Sequence, residues 1–279
     1  MSCDLHCHSR NSDGSLRVNE LMTLALQRGL TALAITDHDT MSGVPQAMEI
    51  SKRLGITVIP GIEMSAKDYL RNRKVHILGY LCDCPERLEK GCSKILESRR
   101  SAAKEMLNTV MQYYPITSEL VAKCADGSST IYKQHIMHAL MEAGYSNEFF
   151  GDVFRKLFSS NGGVAYVPIE YPDVRQAIDL IHSAGGVAVM AHPYTYDSIE
   201  LMEELVSDGL LDGIEVWHPS NNAQRVEYLC EFADAHQLVK TGGTDFHGLY
   251  TDSPHPLGYC TAPCDVIQQL NDAKEKRFK

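Results

Sequence analysis

A chain of 279 residues with 44% apolar content is long enough to bury one large core, or a barrel that carries an insertion. A formal charge of −10, from 36 acidic against 26 basic residues, argues against wrapping a long nucleic-acid duplex, which needs many cations on phosphates. It leaves a nucleotide or an oligonucleotide end open as a partner, because local arginines can hold a small anion on an acidic protein. No apolar run could span a bilayer, and Met1–His8 shows no basic segment leading into an apolar one. A cytoplasmic protein without membrane contact is therefore expected, and nothing points to an obligate protein partner.

The predicted elements alternate from the start. A strand at Cys3–Cys7 precedes a helix-period run, Val18–Arg28, closed by Gly29. A strand (Thr31–Thr36), a helix (Val44–Leu54, closed by Gly55), a strand (Ile56–Pro60) and a strand (Val75–Leu81) follow. From about Ile95 to Val164 the pattern turns helical: Ile95–Tyr113, a segment after Pro115, Ile131–Ala143 and Asn147–Leu157. Alternation then resumes with helix Val174–Ala184, strand Val187–Ala191, helix Ile199–Ser207, strand Gly213–Trp217, helix Ala223–His236 and strand Leu238–Gly242, before a last helix over Asp265–Lys276. Seven strands alternating with helices predict a closed or nearly closed parallel α/β barrel. Its halves would be residues 1–94 and 168–279, with an inserted helical subdomain at 95–167.

Residues that bind metals fall at the strand ends of this map. Strand one runs into His6 and His8, then Asp13; strand two ends in Asp37-His38-Asp39; strand three is followed by Glu63. Strands five, six and seven end in His192, in Glu215 with His218, and in Asp245 with His247. Barrel active sites lie at carboxyl ends of strands; His76 is the exception, near the start of strand four. His-x-His on a strand puts both rings on one face, so His6 and His8 can chelate one ion. Imidazole and carboxylate suit Zn, Mn and Fe, and two or more such ions can clamp a phosphoryl group and generate hydroxide at neutral pH.

Singly, each of these residues reads as well as something plainer: Asp37 and Asp39 as helix-capping acids, His192 as a loop residue. Together, at six or seven strand ends, they point to a metal centre. Glu215, inside its strand, reads as a partner of a ligand rather than a ligand. His182 and His236 read as ordinary helix histidines. The nine cysteines lack a zinc-ribbon spacing and are expected to be reduced thiols, with Cys3 and Cys7 pointing away from the face of His6 and His8.

Asp4-Leu5-His6-Cys7-His8, Ser12-Asp13-Gly14, Thr36-Asp37-His38-Asp39, Gly61-Ile62-Glu63, Ala191-His192-Pro193 and Gly243-Thr244-Asp245-Phe246-His247-Gly248 resemble, in order, the motifs of the PHP (polymerase and histidinol phosphatase) superfamily. The resemblance implies a distorted seven-stranded (β/α)7 barrel with a trinuclear centre of divalent ions, often Mn, Zn or Fe. It places His6, His8, Glu63 and Asp245 on one ion, Glu63 with His76 and His192 on a second, and Asp13, His38 and His247 on a third. Gln134-His135-Ile136, Ala139-Leu140, Gly144-Tyr145 and Ala165-Tyr166-Val167-Pro168 resemble the branch of 3′,5′-nucleotide bisphosphate phosphatases and a 5′→3′ exoribonuclease. That branch sets basic residues of the insertion over the substrate phosphate, a role for Arg99, Arg100, Lys133 and His135 here. Lys133-Gln134-His135 stands where the branch has Arg-Pro-His, and His138 replaces an arginine; Arg grips phosphate through a bidentate fork, Lys as a point charge.

The expected reaction is phosphoester hydrolysis by in-line attack of a hydroxide bridging metal ions. His192, His218 or His247 would protonate the leaving oxygen. The expected substrate is a 3′,5′-nucleotide bisphosphate or a 5′-phosphorylated oligonucleotide. The alternatives are a small-molecule phosphatase acting on a compound such as histidinol phosphate, a polymerase-associated domain, and an inactive metal-binding module.

Overall fold

The computed structural model describes residues 2–252 and 254–279. In chain order the elements are β1 (Ser2–Asp4), α1 (Val18–Gln27), β2 (Ala32–Ile35), α2 (Val44–Leu54), β3 (Thr57–Asp68), β4 (Arg73–Tyr80) and α3 (Pro85–Tyr113). Then come α4 (Ser118–Cys124), α5 (Lys133–Glu142), α6 (Asp152–Phe158), α7 (Val174–Ser183), β5 (Val187–Met190) and α8 (Ile199–Ser207). The chain ends with β6 (Gly213–Trp217), α9 (Ala223–His236), β7 (Val239–Gly242), β8 (Ala262–Pro263) and α10 (Val266–Arg277).

The sheet order is β7-β6-β5-β4-β3-β2-β1-β8, with short β8 an addition to the seven strands expected. The strip curls until its ends meet. Leu5 N–H donates to Gly242 O (3.0 Å), His8 N–H donates to Phe246 O (2.9 Å), and Cys7 bridges Phe246 in parallel. This seam makes a nearly closed barrel, and Gly243 permits it: a Cβ there would fall inside the contact radius of the His6 Cβ and backbone nitrogen.

The sheet is not wholly parallel. β3 pairs with β4, and β4 with β5, antiparallel. The chain here makes a long hairpin rather than a β-helix-β crossover, because only four residues separate β3 from β4, too few for a parallel return. β3 is therefore 12 residues long, against the five of Ile56–Pro60, and Glu63 lies within it rather than beyond its end. The reversal also removes the exception at His76. Since β4 runs the other way, its amino-terminal end lies beside the carboxyl ends of β3 and β5.

Helix α3 starts ten residues before Ile95, at Pro85, which suits a first helical position because its missing N–H would be unpaired there anyway. Its early turns (Leu88, Cys92, Ile95) pack against barrel residues such as Met64, Ile77 and Ile178. Its later turns (Ala102, Met106, Val110) pack with Ile136, Leu140 and Leu157 in a separate hydrophobic cluster. One helix thus crosses the expected boundary at residue 95. The barrel core is filled by Leu5, Ala34, Ile59, Leu78, Tyr80 and Val189, and α10 closes its lower end with Val266 and Leu270. Cys3 and Cys264 form a disulfide, where reduced thiols were expected. No helix among the described residues is long and apolar enough to cross a membrane.

Candidate metal centre

The strand ends bring His6, His8, Asp13, His38, Glu63, His76, His192, Asp245 and His247 into one cluster. Glu63 is its hub. Its Oε2 lies 3.3 Å from His6 Nε2, 3.1 Å from His8 Nε2 and 3.1 Å from His38 Nδ1. Its Oε1 lies 2.7 Å from His76 Nδ1 and 3.1 Å from His192 Nε2. Asp245 Oδ1 stands 3.3 Å from His6 Nε2 and 3.1 Å from His8 Nε2. Asp13 Oδ1 lies 3.4 Å from His247 Nε2 and 3.7 Å from His8 Nδ1. Three sets of donor atoms converge within 4.8 Å: His6, His8, Glu63 and Asp245; His8, Asp13, His38 and His247; and His38, Glu63 and His76. The third set holds His38 where the sequence expectation had His192, although His192 faces the same Glu63 oxygen as His76.

Apart from the His192 Nε2–Glu63 Oε1 hydrogen bond (3.1 Å), most of these atoms approach one another without hydrogen bonding. His6 Nε2, His8 Nε2, His38 Nδ1, His76 Nδ1, Glu63 Oε2, Asp13 Oδ1 and Asp245 Oδ1 are all buried and have no hydrogen-bond partner. Buried polar atoms left so are rare and costly, so a cluster of them facing common points fits cations. The spacing agrees: four ligands at about 2.0–2.1 Å from a tetrahedral ion lie roughly 3.3–3.4 Å apart. Nitrogen and oxygen donors suit Zn, Mn or Fe. Cys7, buried and donating to Ala34 O at 2.9 Å, is turned away.

Neighbouring groups set which ring nitrogen carries the proton. His6 Nδ1 faces Glu215 (3.0 Å), which can only accept, so His6 Nε2 presents a lone pair to the cluster. His247 Nδ1 faces the Asp245 carbonyl (2.9 Å), with the same result. His218 is reversed: Ser220 N–H donates to its Nδ1 (3.1 Å), which puts the proton on Nε2, 3.5 Å from Asp245 Oδ2. Glu215 also accepts from His192 N–H (2.8 Å) and so orients two cluster members, the supporting place its position in β6 suggested.

The electrostatics are those of many imidazoles around few carboxylates. Burial alone would raise the Glu63 and Asp245 carboxyls, but the surrounding rings (His76, His38 and His6 on Glu63; His6 and His247 on Asp245) hold both well below the usual range. Burial, reinforced by His8 and His76 against the pull of Glu63 and Asp13, takes His38 down to about 3. His8 goes up to about 10, because Asp245 and Glu63 outweigh its burial. Backbone strain gathers here as well: Asp39 (φ 58°), His192 (φ 24°) and Asp245 (φ 52°) all have positive φ, at about 1–3 kcal/mol each. Two carboxylates outside the donor sets pin the strand ends. Asp37 accepts from Ser9 N–H, Ser9 Oγ and Ser12 Oγ, and Asp4 accepts from Thr244 and Gly258.

A cavity of about 340 Å³ opens onto Asp13, His38 and His76 and carries a cationic wall of Lys74, Arg99 and Lys133. Arg99, on α3, donates to Asp39 Oδ2 (2.7 Å) and Ser65 Oγ (3.1 Å), lies 4.7 Å over the Tyr132 ring, and keeps its Nε–H unpaired. Lys133 lies 4.9 Å over the Tyr166 ring, and burial, then Lys74 and Arg99, push its ammonium down to about 8.

Two expected substrate residues stay outside this cavity. Arg100 is exposed and donates to Ser129 O (3.2 Å), since the residue after Arg99 on a helix is turned about 100° away. His135 is buried at 2% exposure, and its Nδ1 accepts from Tyr132 N–H (3.1 Å) as the amino-terminal cap of α5. His138 bonds Tyr250 (2.8 Å) elsewhere. Sequence reasoning missed Lys74, whose signal was its place two residues before His76 on one strand face. It also gave no role to Gln134, which donates to Asp13 (3.1 Å).

Comparison with known proteins agrees with this geometry. Residues 4–186 match the family profile described as PHP domain. The chain is 39% identical, over 90% of its length and 96% of the relative's, to phosphoribosyl 1,2-cyclic phosphate 1,2-diphosphodiesterase of Eggerthella lenta. It is 32% identical to the 5′-3′ exoribonuclease Rnm of Salmonella typhimurium, over 88% of this chain and 84% of that one. A solved structure from Bifidobacterium adolescentis, provisionally assigned as a metal-dependent phosphoesterase, superposes with a TM-score of 0.87 at 32% identity, covering 97% of this chain and 96% of its own.

Proposed function

The chain belongs to the PHP domain family of metal-dependent phosphoesterases, and from that premise we propose that it hydrolyses a phosphate ester on a ribose that carries a second phosphate. The ester would sit at the Glu63 cluster and the second phosphate against Lys74, Arg99 and Lys133. Such a substrate is common to a 3′,5′-nucleotide bisphosphate, a 5′-phosphorylated oligonucleotide and a 5-phosphoribosyl 1,2-cyclic phosphate. The observation that carries this reading is one cavity floored by unpaired donor atoms and walled by Lys74, Arg99 and Lys133, of which only Arg99 forms an ion pair, with Asp39, among the described residues.

In this reading His6, His8, Glu63 and Asp245 hold one divalent ion, Glu63 with His76 and His192 a second, and Asp13, His38 and His247 a third, the ions being Mn, Zn or Fe. Bound ions would supply Lewis-acid polarisation of the phosphoryl oxygens and a water of lowered pKa. The chain's own groups do the rest. Glu215 fixes His6 and His192, and Gln134 holds Asp13 in place. Arg99 Nε–H and Lys133 Nζ–H fix the remote phosphate and so align the ester. Of the three histidines expected as acid, His218 is favoured, because its Nε2 carries the proton on the cluster side; it would pass that proton to the leaving oxygen.

The test is product formation, followed chromatographically, by Mn-loaded protein on adenosine 3′,5′-bisphosphate, a 5′-phosphorylated dinucleotide, 5-phosphoribosyl 1,2-cyclic phosphate and histidinol phosphate. Preference for the three doubly phosphorylated riboses is expected. Equal or better turnover of histidinol phosphate would contradict the proposal.

A further inference from the structure

Away from the Glu63 cluster, the helical insertion gathers a second set of metal-binding side chains. Cys124 closes α4, while His138 and Glu142 stand four residues apart on α5 and so share one helix face. The Cys124 sulfur, a His138 ring nitrogen and a Glu142 carboxylate oxygen all lie within 4.8 Å of one another. They line a cavity of about 410 Å³ that shares no lining residue with the cationic one. His138 is the residue that stands where the branch has an arginine, and the proposed phosphate site leaves it unused.

The three donor atoms are open to a ligand. Cys124 is a free thiol whose sulfur makes no hydrogen bond among the described residues. The Tyr250 hydroxyl donates to the Cys124 carbonyl (3.5 Å), so its oxygen accepts from His138 Nδ1–H (2.8 Å). That leaves the lone pair on His138 Nε2, as in a metal-binding imidazole held in place through its other nitrogen. Nε2 stands 3.7 Å from Glu142 Oε1, which is too far for a hydrogen bond. It is near the roughly 3.3 Å that separates two ligands of one tetrahedral ion. Lys123 reaches the other oxygen of Glu142, Oε2, at 3.4 Å and leaves Oε1 facing His138.

We propose that Cys124, His138 and Glu142 bind one zinc ion, separate from the ions of the Glu63 cluster. The sulfur sets the choice of metal: a thiolate favours Zn over Mn, whereas the cluster offers only nitrogen and oxygen. On binding, the thiol gives its proton to solvent and a sulfur–zinc bond takes the place of the sulfur–hydrogen bond. Thiolate and carboxylate together neutralise the ion. Its fourth position faces the cavity, where Arg10 and Arg17 favour a small anion such as hydroxide or chloride. The ion joins α4 to α5, whose first turn carries Lys133 and Gln134 into the substrate cavity. Tyr250, which holds His138, also donates its N–H to His247 O (3.3 Å) and so braces the site against the loop of a cluster residue. The role is structural: the ion fixes the insertion over the barrel rim. With three protein ligands and one side open to solvent, the site gives up its ion more readily than the cluster, so it is read by adding metal.

The experiment titrates cobalt, a coloured stand-in for zinc, into wild type whose cluster is already filled with Mn. A cobalt–thiolate bond gives a charge-transfer band in the near ultraviolet. Cobalt exchanged into the cluster gives none, because Cys7 is turned away from it. In wild type the band should rise to saturation and be bleached by added zinc. Cys124→Ser should abolish it, and Cys84→Ser, at a thiol outside the site, should keep it. His138→Gln and Glu142→Gln should each weaken cobalt binding by at least about tenfold, the loss that removing a mere supporting partner can cause. A cooperative thermal transition shows that each variant is folded, and Glu142, being exposed, decides the matter if Cys124→Ser does not fold. Absence of the band in wild type would overturn the proposal. So would a band that survives in folded Cys124→Ser, or wild-type affinity for cobalt in Glu142→Gln.

Discussion

Replacing Lys133 by methionine keeps the chain length and removes the charge, and the consequence can be worked from its surroundings. Lys133 has no carboxylate partner among the described residues; its ammonium donates to Phe158 O at 3.4 Å, lies over the Tyr166 ring, and shares its cavity with Lys74 and Arg99. A phosphate arriving there gains one charge-assisted hydrogen bond worth about 1.5–3 kcal/mol, or roughly 10- to 150-fold in KM. The loss should fall on substrates with two phosphates and spare those with one, so adenosine 3′,5′-bisphosphate and adenosine 3′-monophosphate form the comparison. The pH dependence gives a second handle. Burial and the two neighbouring cations lower the ammonium to about 8, so in the free enzyme the charge is lost as pH rises through about 8. Phosphate binding favours the charged form, so wild-type KM for the bisphosphate should climb above that pH by up to about tenfold per unit. Lys133→Arg, whose guanidinium stays charged, should remove the rise. Steady-state kinetics between pH 7 and 9.5 measure both effects. Equal KM changes for the two substrates in Lys133→Met, or a wild-type KM that stays flat relative to Lys133→Arg, would refute the reasoning.

Three other changes have defined outcomes. Arg100→Ala should leave KM for the bisphosphate within about twofold of wild type, because its guanidinium is spent on the Ser129 carbonyl at an exposed site; a larger rise would mean that it reaches the substrate. Burial, aided by His138 and Arg10 against Asp13, lowers the imidazole of His135 to about 4, so the unfolded chain takes up a proton first as pH falls. Its contribution to stability is complete above the unfolded value near 6.5 and is lost between there and about 4, which urea unfolding of wild type against His135→Gln should show as a steeper acid decline in wild type; parallel curves would contradict it. Gly243→Ala should separate the seam between β1 and β7, since the added methyl collides with His6, and is expected to lower the thermal midpoint and metal content together. Unchanged metal content in that variant would show that the seam tolerates the methyl.

Much of the fold was legible because hydrophobic periodicity and glycine stops survive in the chain: α2, α8, α9 and β6 fall on the expected residues. The hairpin of β3 and β4 was not, because period-2 alternation marks a strand and says nothing of its direction. That one unknown is why His76 looked misplaced. The cluster was legible for a related reason. A motif such as His6-Cys7-His8 carries its geometry in its spacing, and each strand end delivers its residues to the same rim. The cationic wall was harder, because its members come from β4, α3 and α5 and meet only through tertiary packing. Adjacent residues there part company: Arg99 enters the cavity and Arg100 does not, and Lys133 enters it while His135, two residues on, becomes a buried helix cap. The pairing of Cys3 with Cys264 joins chain ends whose proximity depends on barrel closure, which no local pattern encodes.

Glu63 is the hub of the proposed metal cluster, and elemental analysis of wild type and Glu63→Gln, paired with turnover of adenosine 3′,5′-bisphosphate, tests that role most directly. Glutamine keeps the shape and removes the charge that faces five imidazoles. The prediction is about three equivalents of Mn, Zn or Fe per chain in wild type, loss of most of that metal in the variant, and a fall in kcat of at least about 100-fold. Chelation of the wild type should abolish turnover, and added metal should restore it. Full turnover by a chelated protein shown to hold no metal, or undiminished metal and activity in Glu63→Gln, would contradict the account.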